Sequence, residues 1–422
     1  MLLRVFTDFV NPEPMNNLEE HEEEEIVRKI RMHHPKKESG REPSRPSPFP
    51  WLSPVATRLR EKSFEGLLFG CAVAEALAQA HNGVHPRVGL KLYGRNPLDY
   101  RFQPGVGITS HRTHALIITT QAMLESRTDK DRFANSLRKR ISWYQRSFPF
   151  KHAKTYVTSI FRNFRNVSYE NSLRLGFGDD PLVRSLILAV GLQGGMNNFS
   201  RWLEKSVEVT HGDFRVLHAA TLVAYSAQIA HLHEDATLNP FKTLGMLMDA
   251  TDEPELLKKL MELESHLRSR RSVAYVAKQF GWSEGVPADV TAVSILGIYS
   301  WLRHPASYRH AVERSVLLGG SCSAVAVIAG SLAGITLGKN RIPRNWTKGV
   351  SFYPYDKAWR EQLIERVKDW PHGVEDIQEA EGLPSHYLGQ IARNTWRSLF
   401  RFIHGAMRLP VRTVSFCLRK KR

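Results

Sequence analysis

The pentapeptide Ser110-His111-Arg112-Thr113-His114 puts two imidazoles, a guanidinium and two hydroxyls into one short run. Imidazoles exchange protons near neutral pH, so His111 and His114 could serve as acid and base, with His111 the candidate catalytic residue. The alternative is a solvated or structurally bonded histidine, because no partner carboxylate stands at a recognisable spacing. The Arg112 fork matches phosphate oxygens two at a time; its alternative is an ion pair with Glu75, Asp179 or Asp180. A second cluster is Ser321-Cys322-Ser323. Cys322 becomes a nucleophile only beside a base and is otherwise a small buried packing residue. Gly176 and Gly178 could cradle a ligand or merely make a turn. His211 follows Thr210 at an expected helix start, where capping or packing competes with ligand binding. His81 and His85 bracket Gly83 in a loop-like stretch and are set aside as a zinc pair.

These residues need helices to position them. Ser63–Ala78 reads as a helix with small residues on one side, and His114–Glu125 as another. Further helical runs are 136–144, 181–191, 199–207, 215–231, 241–250, 255–268, 286–302, 307–318 and 323–337, with weaker ones at 358–368 and 375–381. Alternating strand patterns are nearly absent, so the fold class is all-α. Ser315–Gly338 holds no charge, and Gly330, Gly334 and Gly338 recur every four residues, as in packed membrane helices. Gly319-Gly320-Ser321 interrupts the run, which leaves it too short for a span and points to a buried helix.

The chain has 422 residues, with 59 Lys+Arg against 42 Asp+Glu, a net charge of +17. That balance favours anionic partners and says nothing about fold. Three scattered cysteines exclude a disulfide framework or a zinc cluster and suit a reducing cytosol. No secretory signal pattern opens the chain. Six glutamates between Glu19 and Glu25, then a basic, proline-rich stretch, mark residues 1–60 as a flexible leader. Residues 382–422 contain nine Lys/Arg and no Asp or Glu. There Trp396, Leu399, Phe400, Ile403 and Met407 follow helical spacing, with Arg393, Arg397, Arg401 and Arg408 alongside, until Pro410 ends the helix. An interfacial helix on an anionic membrane, through residues 391–422, competes with a solvated basic tail. Nucleic acid is not expected as the main partner, since no recognised motif gathers the basic residues.

Five blocks, in order, resemble the ADP-ribosylglycohydrolase family. They are Gly66-Leu-Leu-Phe-Gly-Cys-Ala-Val-Ala-Glu-Ala-Leu-Ala; Ser110-His-Arg-Thr-His; Gly176-Phe-Gly-Asp-Asp-Pro-Leu-Val-Arg; Thr210-His211; and Leu318-Gly-Gly-Ser-Cys-Ser-Ala with Gly338, Ile342-Pro343 and Trp346. The resemblance implies an orthogonal bundle of helices over 61–350, followed by a C-terminal extension, 351–422. It also implies a di-magnesium enzyme that cleaves ADP-ribosyl groups. The motif carboxylates do not carry over. The family's Thr-Asp-Asp falls on Ser110, His111 and Arg112, and its Asp-x-Asp-Thr on Ser321, Cys322, Ser323 and Ala324. An acidic loop residue of the family falls near Asn82. Two Mg²⁺ ions need hard oxygen ligands, so the resemblance implies that the metal pair is lost and that no cofactor is held.

The expectation is a cytoplasmic pseudoenzyme without the metal pair, with Ser110, Arg112, Gly176, Gly178, His211, Ser321 and Ser323 lining a site for an ADP-ribosyl or other phosphate-bearing ligand. Two alternatives stay open. One is an active hydrolase with an atypical or metal-free route through His111. The other is an adaptor, peripheral to a membrane or protein-bound, acting through the basic C-terminal helix.

Overall fold

The computed structural model describes residues 61–94, 98–147, 178–192, 196–232, 238–370, 383 and 386–419. The leader, the helix expected at 375–381 and Gly176 lie outside these residues. The described residues form sixteen α-helices. In chain order they begin with α1 (Glu61–Ala78), α2 (Pro86–Tyr93), α3 (His111–Ser126), α4 (Lys130–Arg146), α5 (Asp180–Gly191), α6 (Met196–Glu208), α7 (Phe214–Leu232) and α8 (Pro240–Asp249). There follow α9 (Pro254–Arg268), α10 (Val273–Gln279), α11 (Val290–Arg303), α12 (Tyr308–Val316), α13 (Cys322–Leu337), α14 (Arg344–Gly349), α15 (Lys357–Asp369) and α16 (Tyr387–Arg419). The strands β1 (Gly107–Ile108) and β2 (Val350–Ser351) pair in parallel.

Helices α1 and α13 are apolar all round, and a helix of that kind belongs inside. Every residue of α13 is buried, as are fifteen of α1. The two cross at glycines. A Cβ on Gly66 would stand 2.0 Å from the Gly334 carbonyl oxygen, and one on Gly70 2.4 Å from that of Gly330. The four-residue spacing therefore serves a close backbone crossing in the core. Among the described residues no helix is long and apolar enough to cross a membrane. Helices α11 and α12 cover α13, while α5 and α7 close the other side.

The core continues beyond residue 350: Phe352, Trp359, Leu363, Val367 and Trp370 are buried in the same cluster as α1. Trp346 is fully buried and donates its Nε1–H to the Leu98 carbonyl at 3.1 Å, while Tyr100 Oη donates to the Trp346 carbonyl at 2.7 Å. These bonds and the β1–β2 pair fix the segment that leads into α3.

One expectation for the C-terminal helix is corrected. It runs through Pro410 to Arg419, since a proline removes one backbone bond and the turns on either side retain theirs. Its inward face is largely polar, with Phe400 half-buried against Phe102. Arg393, Asn394, Arg397 and His404 are buried, whereas Trp396, Leu399, Phe402 and Ile403 are exposed. The polar face docks because the surface below offers polar partners: His404 Nε2 lies 2.7 Å from the Phe102 carbonyl, and Asn394 donates to Ser147 Oγ at 2.7 Å.

Candidate functional site

Eight described helices carry their own N-terminal cap: His85, Asp129, Asn239, Glu253, Ser272, Asp289, Ser307 and Asp356 each accept a bond from their own first turn. Three that lack such a cap lie together. The N-cap residues of α3, α5 and α13 are Ser110, Asp179 and Ser321, and none makes a side-chain capping bond. These three N-termini meet at Arg112, and side chains from elsewhere satisfy backbone N–H groups of α3 and α13.

Glu75 caps α3 from α1. Its carboxylate accepts the N–H groups of Ser110 at 2.8 Å, Arg112 at 3.1 Å and Thr113 at 3.0 Å, and the Thr113 hydroxyl at 2.6 Å. A carboxylate at a helix N-terminus satisfies open donors and meets the positive end of the helix dipole. Burial alone would raise the Glu75 pKa, but the His111 and Arg112 charges and the Thr113 and Ser110 bonds hold it below the usual carboxylate value. Asn82 serves α13 in the same way, accepting the Ser323 N–H at 3.3 Å. The turn before α13 depends on Gly319 and Gly320, both at positive φ; a Cβ on Gly320 would stand 2.3 Å from the Val286 carbonyl oxygen.

Arg112 bridges the three helices. Its Nε donates to Asp179 Oδ2 at 2.8 Å and its Nη1 to Ser323 Oγ at 3.3 Å, while Glu75 Oε1 lies 4.0 Å away. The guanidinium is buried, which by itself lowers its pKa, but Asp179 and Glu75 more than restore it, so its charge is secure. Burial likewise opposes ionisation of Asp179, and the Arg112 and His111 contacts outweigh it, holding that carboxyl well below the usual range.

His111 stands on the rim, with Nδ1 3.0 Å from Ser110 Oγ and Nε2 3.6 Å from Asp180 Oδ1 and 3.9 Å from Asp179 Oδ1. The expectation that His111 lacks a carboxylate partner is thus corrected: two acids come from α5, far away in sequence. His111, Asp179 and Asp180 place ligand atoms within 4.8 Å of one another, a set that could hold one cation. A pair of Mg²⁺ ions fits this site poorly. The motif positions offer one imidazole and hydroxyls in place of carboxylates, and the second oxygen of Asp179 is taken by Arg112.

The remaining site residues divide. His211 joins the site: its Nε2 accepts the Gly178 N–H at 3.1 Å and its Nδ1 lies 2.8 Å from Thr210 Oγ1. Burial first, then the Arg184 charge, pulls its pKa down to about 4, so the imidazole is neutral. It does not cap a helix, since α7 begins three residues later at Phe214. Ser110 and Ser323 are fully buried and serve the network. Cys322 and Ala324 pack in the core, and Ser321 is half-buried at the start of α13. His114 is buried one turn beneath His111, stacked on Tyr144 with 5.2 Å between ring centres. Sequence reasoning missed the capping role of Glu75. Its signal was available: a single acid in the otherwise apolar run Cys71–Ala78 must find partners when buried.

The family profile of ADP-ribosylglycohydrolase matches residues 56–376, and the chain belongs to that family. Among 46 solved chains similar to it, one titled "ADP-ribosylglycohydrolase-related protein complex" superimposes with a TM-score of 0.51 at 18% identity. The match covers 74% of this chain and 97% of that one, and it bears on the fold alone. No curated protein matches the chain significantly.

Proposed function

We propose that this family member is a pseudoenzyme: it keeps the helical scaffold and cleft, lacks magnesium-dependent ADP-ribosyl hydrolysis, and binds an ADP-ribosyl or other phosphate-bearing group. The observation that carries this reading is the Arg112 guanidinium held between Asp179 and Ser323. A fixed cation there opposes any divalent ion by roughly 4 kcal/mol per unit-charge pair at 4 Å and an effective dielectric near 20. Magnesium would supply Lewis-acid polarisation and a held water; here the chain's own residues hold the helix ends together instead. The test is calorimetric titration with Mg²⁺ and Mn²⁺, alongside turnover of an ADP-ribosylated arginine peptide. The expected result is no two-ion isotherm and no magnesium-dependent turnover. Stoichiometric binding of two ions, or turnover that needs them, would overturn the reading.

A second reading rests on α16. The outward face carries Trp396, Leu399, Phe402 and Ile403, all exposed. Residues 382–422 hold no acid and nine Lys/Arg, of which Arg393 and Arg397 are buried and the other seven remain for a surface. Apolar anchors within a basic helix suit an anionic lipid surface, where each cation contributes about 1 kcal/mol. Co-sedimentation with phosphatidylserine vesicles, but not with neutral ones, is expected. Equal binding to both, or none to either, removes this reading.

A further inference from the structure

The inner face of α16 carries two arginines that the network around Arg112 does not explain. Arg393 and Arg397 are 6% and 4% exposed. Arg393 Nη2 donates to Tyr144 Oη at 3.0 Å and to Asn394 Oδ1 at 2.6 Å. Its Nε and Nη1, and Nε of Arg397, are buried without a hydrogen-bond partner. His114 Nδ1 is in the same condition. These groups share one neighbourhood. The Tyr144 ring lies 5.2 Å from the His114 ring and 5.9 Å from the Arg393 guanidinium carbon. Tyr355 flanks His114 with 5.6 Å between ring centres and accepts from Gln390 at 2.9 Å. Burial first, then the charges of Arg393 and Arg397, drives the His114 pKa well below its usual value. No described carboxylate forms an ion pair with either arginine. Glu75, whose field reaches Arg397, has its oxygens occupied by the α3 N-terminus.

Arginine cannot shed its proton to relieve such burial, and an uncompensated buried cation is costly. An anion that accepts from several N–H groups at once would meet these donors, and a phosphate group does so with paired geometry. We propose that Arg393, Arg397 and His114 form a phosphate subsite, roofed by α16 and floored by Tyr144, one turn along α3 from His111. This deepens the pseudoenzyme reading and rests on its claim that a phosphate-bearing group is bound. It moves recognition away from Arg112, whose fork is occupied by Asp179 and Ser323, to a helix that extends beyond the family match. Neutral His114 can present its Nδ1 as a donor to the same group.

The test uses the full chain in phosphate-free buffer at constant ionic strength. Inorganic phosphate, pyrophosphate, ADP-ribose and unphosphorylated adenosine are titrated calorimetrically and by thermal shift. Arg397→Met and Arg393→Met are compared with Arg401→Met, an exposed arginine on the same helix; Arg397→Lys keeps the charge without the fork. Phosphate compounds are expected to raise the melting temperature of the wild type and of Arg401→Met, and adenosine to leave it unchanged. Binding should weaken about tenfold or more in Arg397→Met and Arg393→Met, and less in Arg397→Lys. Equal affinity in all variants, or no phosphate response in the wild type, overturns the subsite. The two readings separate cleanly. Arg397-dependent binding of inorganic phosphate without ADP-ribose keeps the subsite and removes the ADP-ribosyl ligand. ADP-ribose binding that is indifferent to Arg397 does the reverse.

Discussion

Two groups of buried arginine sit on either side of the α3 N-terminal turn, and they are treated differently. Arg112 is surrounded by acids: Asp179 at 2.8 Å, Glu75 at 4.0 Å, and a hydroxyl from Ser323. Arg393 and Arg397, equally buried, meet a phenol, an amide and an imidazole, with three guanidinium nitrogens left unbonded. Burial is common to both, so burial does not distinguish a structural cation from a binding one. What distinguishes them is whether carboxylates were brought in as well. A guanidinium paired with buried carboxylates holds the fold together; one buried with unbonded nitrogens and no carboxylate is poised for an anion the chain does not supply.

The comparison breaks most severely at Arg112. Arg112→Met leaves Glu75 and Asp179 buried without their cation, and breaking a buried pair on one side costs about 3–5 kcal/mol. Urea unfolding should show that loss. A change below about 1 kcal/mol would mean that the two acids do not depend on it. Asp179→Asn is milder, since Arg112 keeps Glu75 and Ser323. Loss of one charged hydrogen bond should lower stability by about 1.5–3 kcal/mol and make Arg112 more like Arg397. If the comparison holds, this variant should also gain a phosphate response at Arg112.

Much of this was legible in the sequence and some was not. The helices were readable because their apolar residues recur at helical intervals, and the α1–α13 crossing left a trace in Gly330 and Gly334. The short helices Pro86–Tyr93, Val273–Gln279 and Arg344–Gly349 were not, since so few turns carry little periodicity. Ser110, His111 and Arg112 fell in the site because their motif order was visible. Glu75, Asp179 and Asp180 were named as alternative partners for Arg112, but the acids beside His111 and the capping of α3 by Glu75 were not foreseen, because spacing along the chain does not encode contact across it. Which face of α16 meets the domain stayed open for a related reason. Periodicity defines two faces of a helix, but the surface it meets decides which is buried, and here that surface offers Tyr144, Ser147 and the Phe102 carbonyl.

Acid titration sharpens the comparison from the His211 side. Its folded pKa, about 4, lies below the unfolded value near 6.5. The unfolded chain therefore takes up the proton first as pH falls. Stability is full above about 6.5, declines between 6.5 and 4, and then levels for this group. His114 shifts in the same direction and adds to the slope. At pH 5 the His211 share should be of the order of 1 kcal/mol once solvent screening is allowed for. His211→Gln, compared with wild type by urea unfolding at pH 7.5 and 5, should flatten the decline without abolishing it. An unchanged slope would mean His211 is protonated in the folded protein, in which case its Nε2 could not accept the Gly178 N–H.

The smallest effect is expected on the outer face of α16, where the inverted amphipathy makes a claim that stability can test. Trp396 is 51% exposed, and its Nε1–H reaches Gln103 Oε1 at 3.1 Å at the surface. Leu399 is 49% exposed and Phe402 75%. Side chains so placed contribute little to folding, and surface substitutions away from caps and networks stay within about 0.5 kcal/mol. Trp396→Ser combined with Phe402→Ser should therefore leave urea unfolding nearly unchanged, although both residues are large and apolar. If the same variant loses affinity for phosphatidylserine vesicles, the outer face serves a lipid surface while the inner face serves the fold and the phosphate. If it unfolds readily instead, the aromatic side is part of the core, and the contrast between a polar inner face and an apolar outer one collapses.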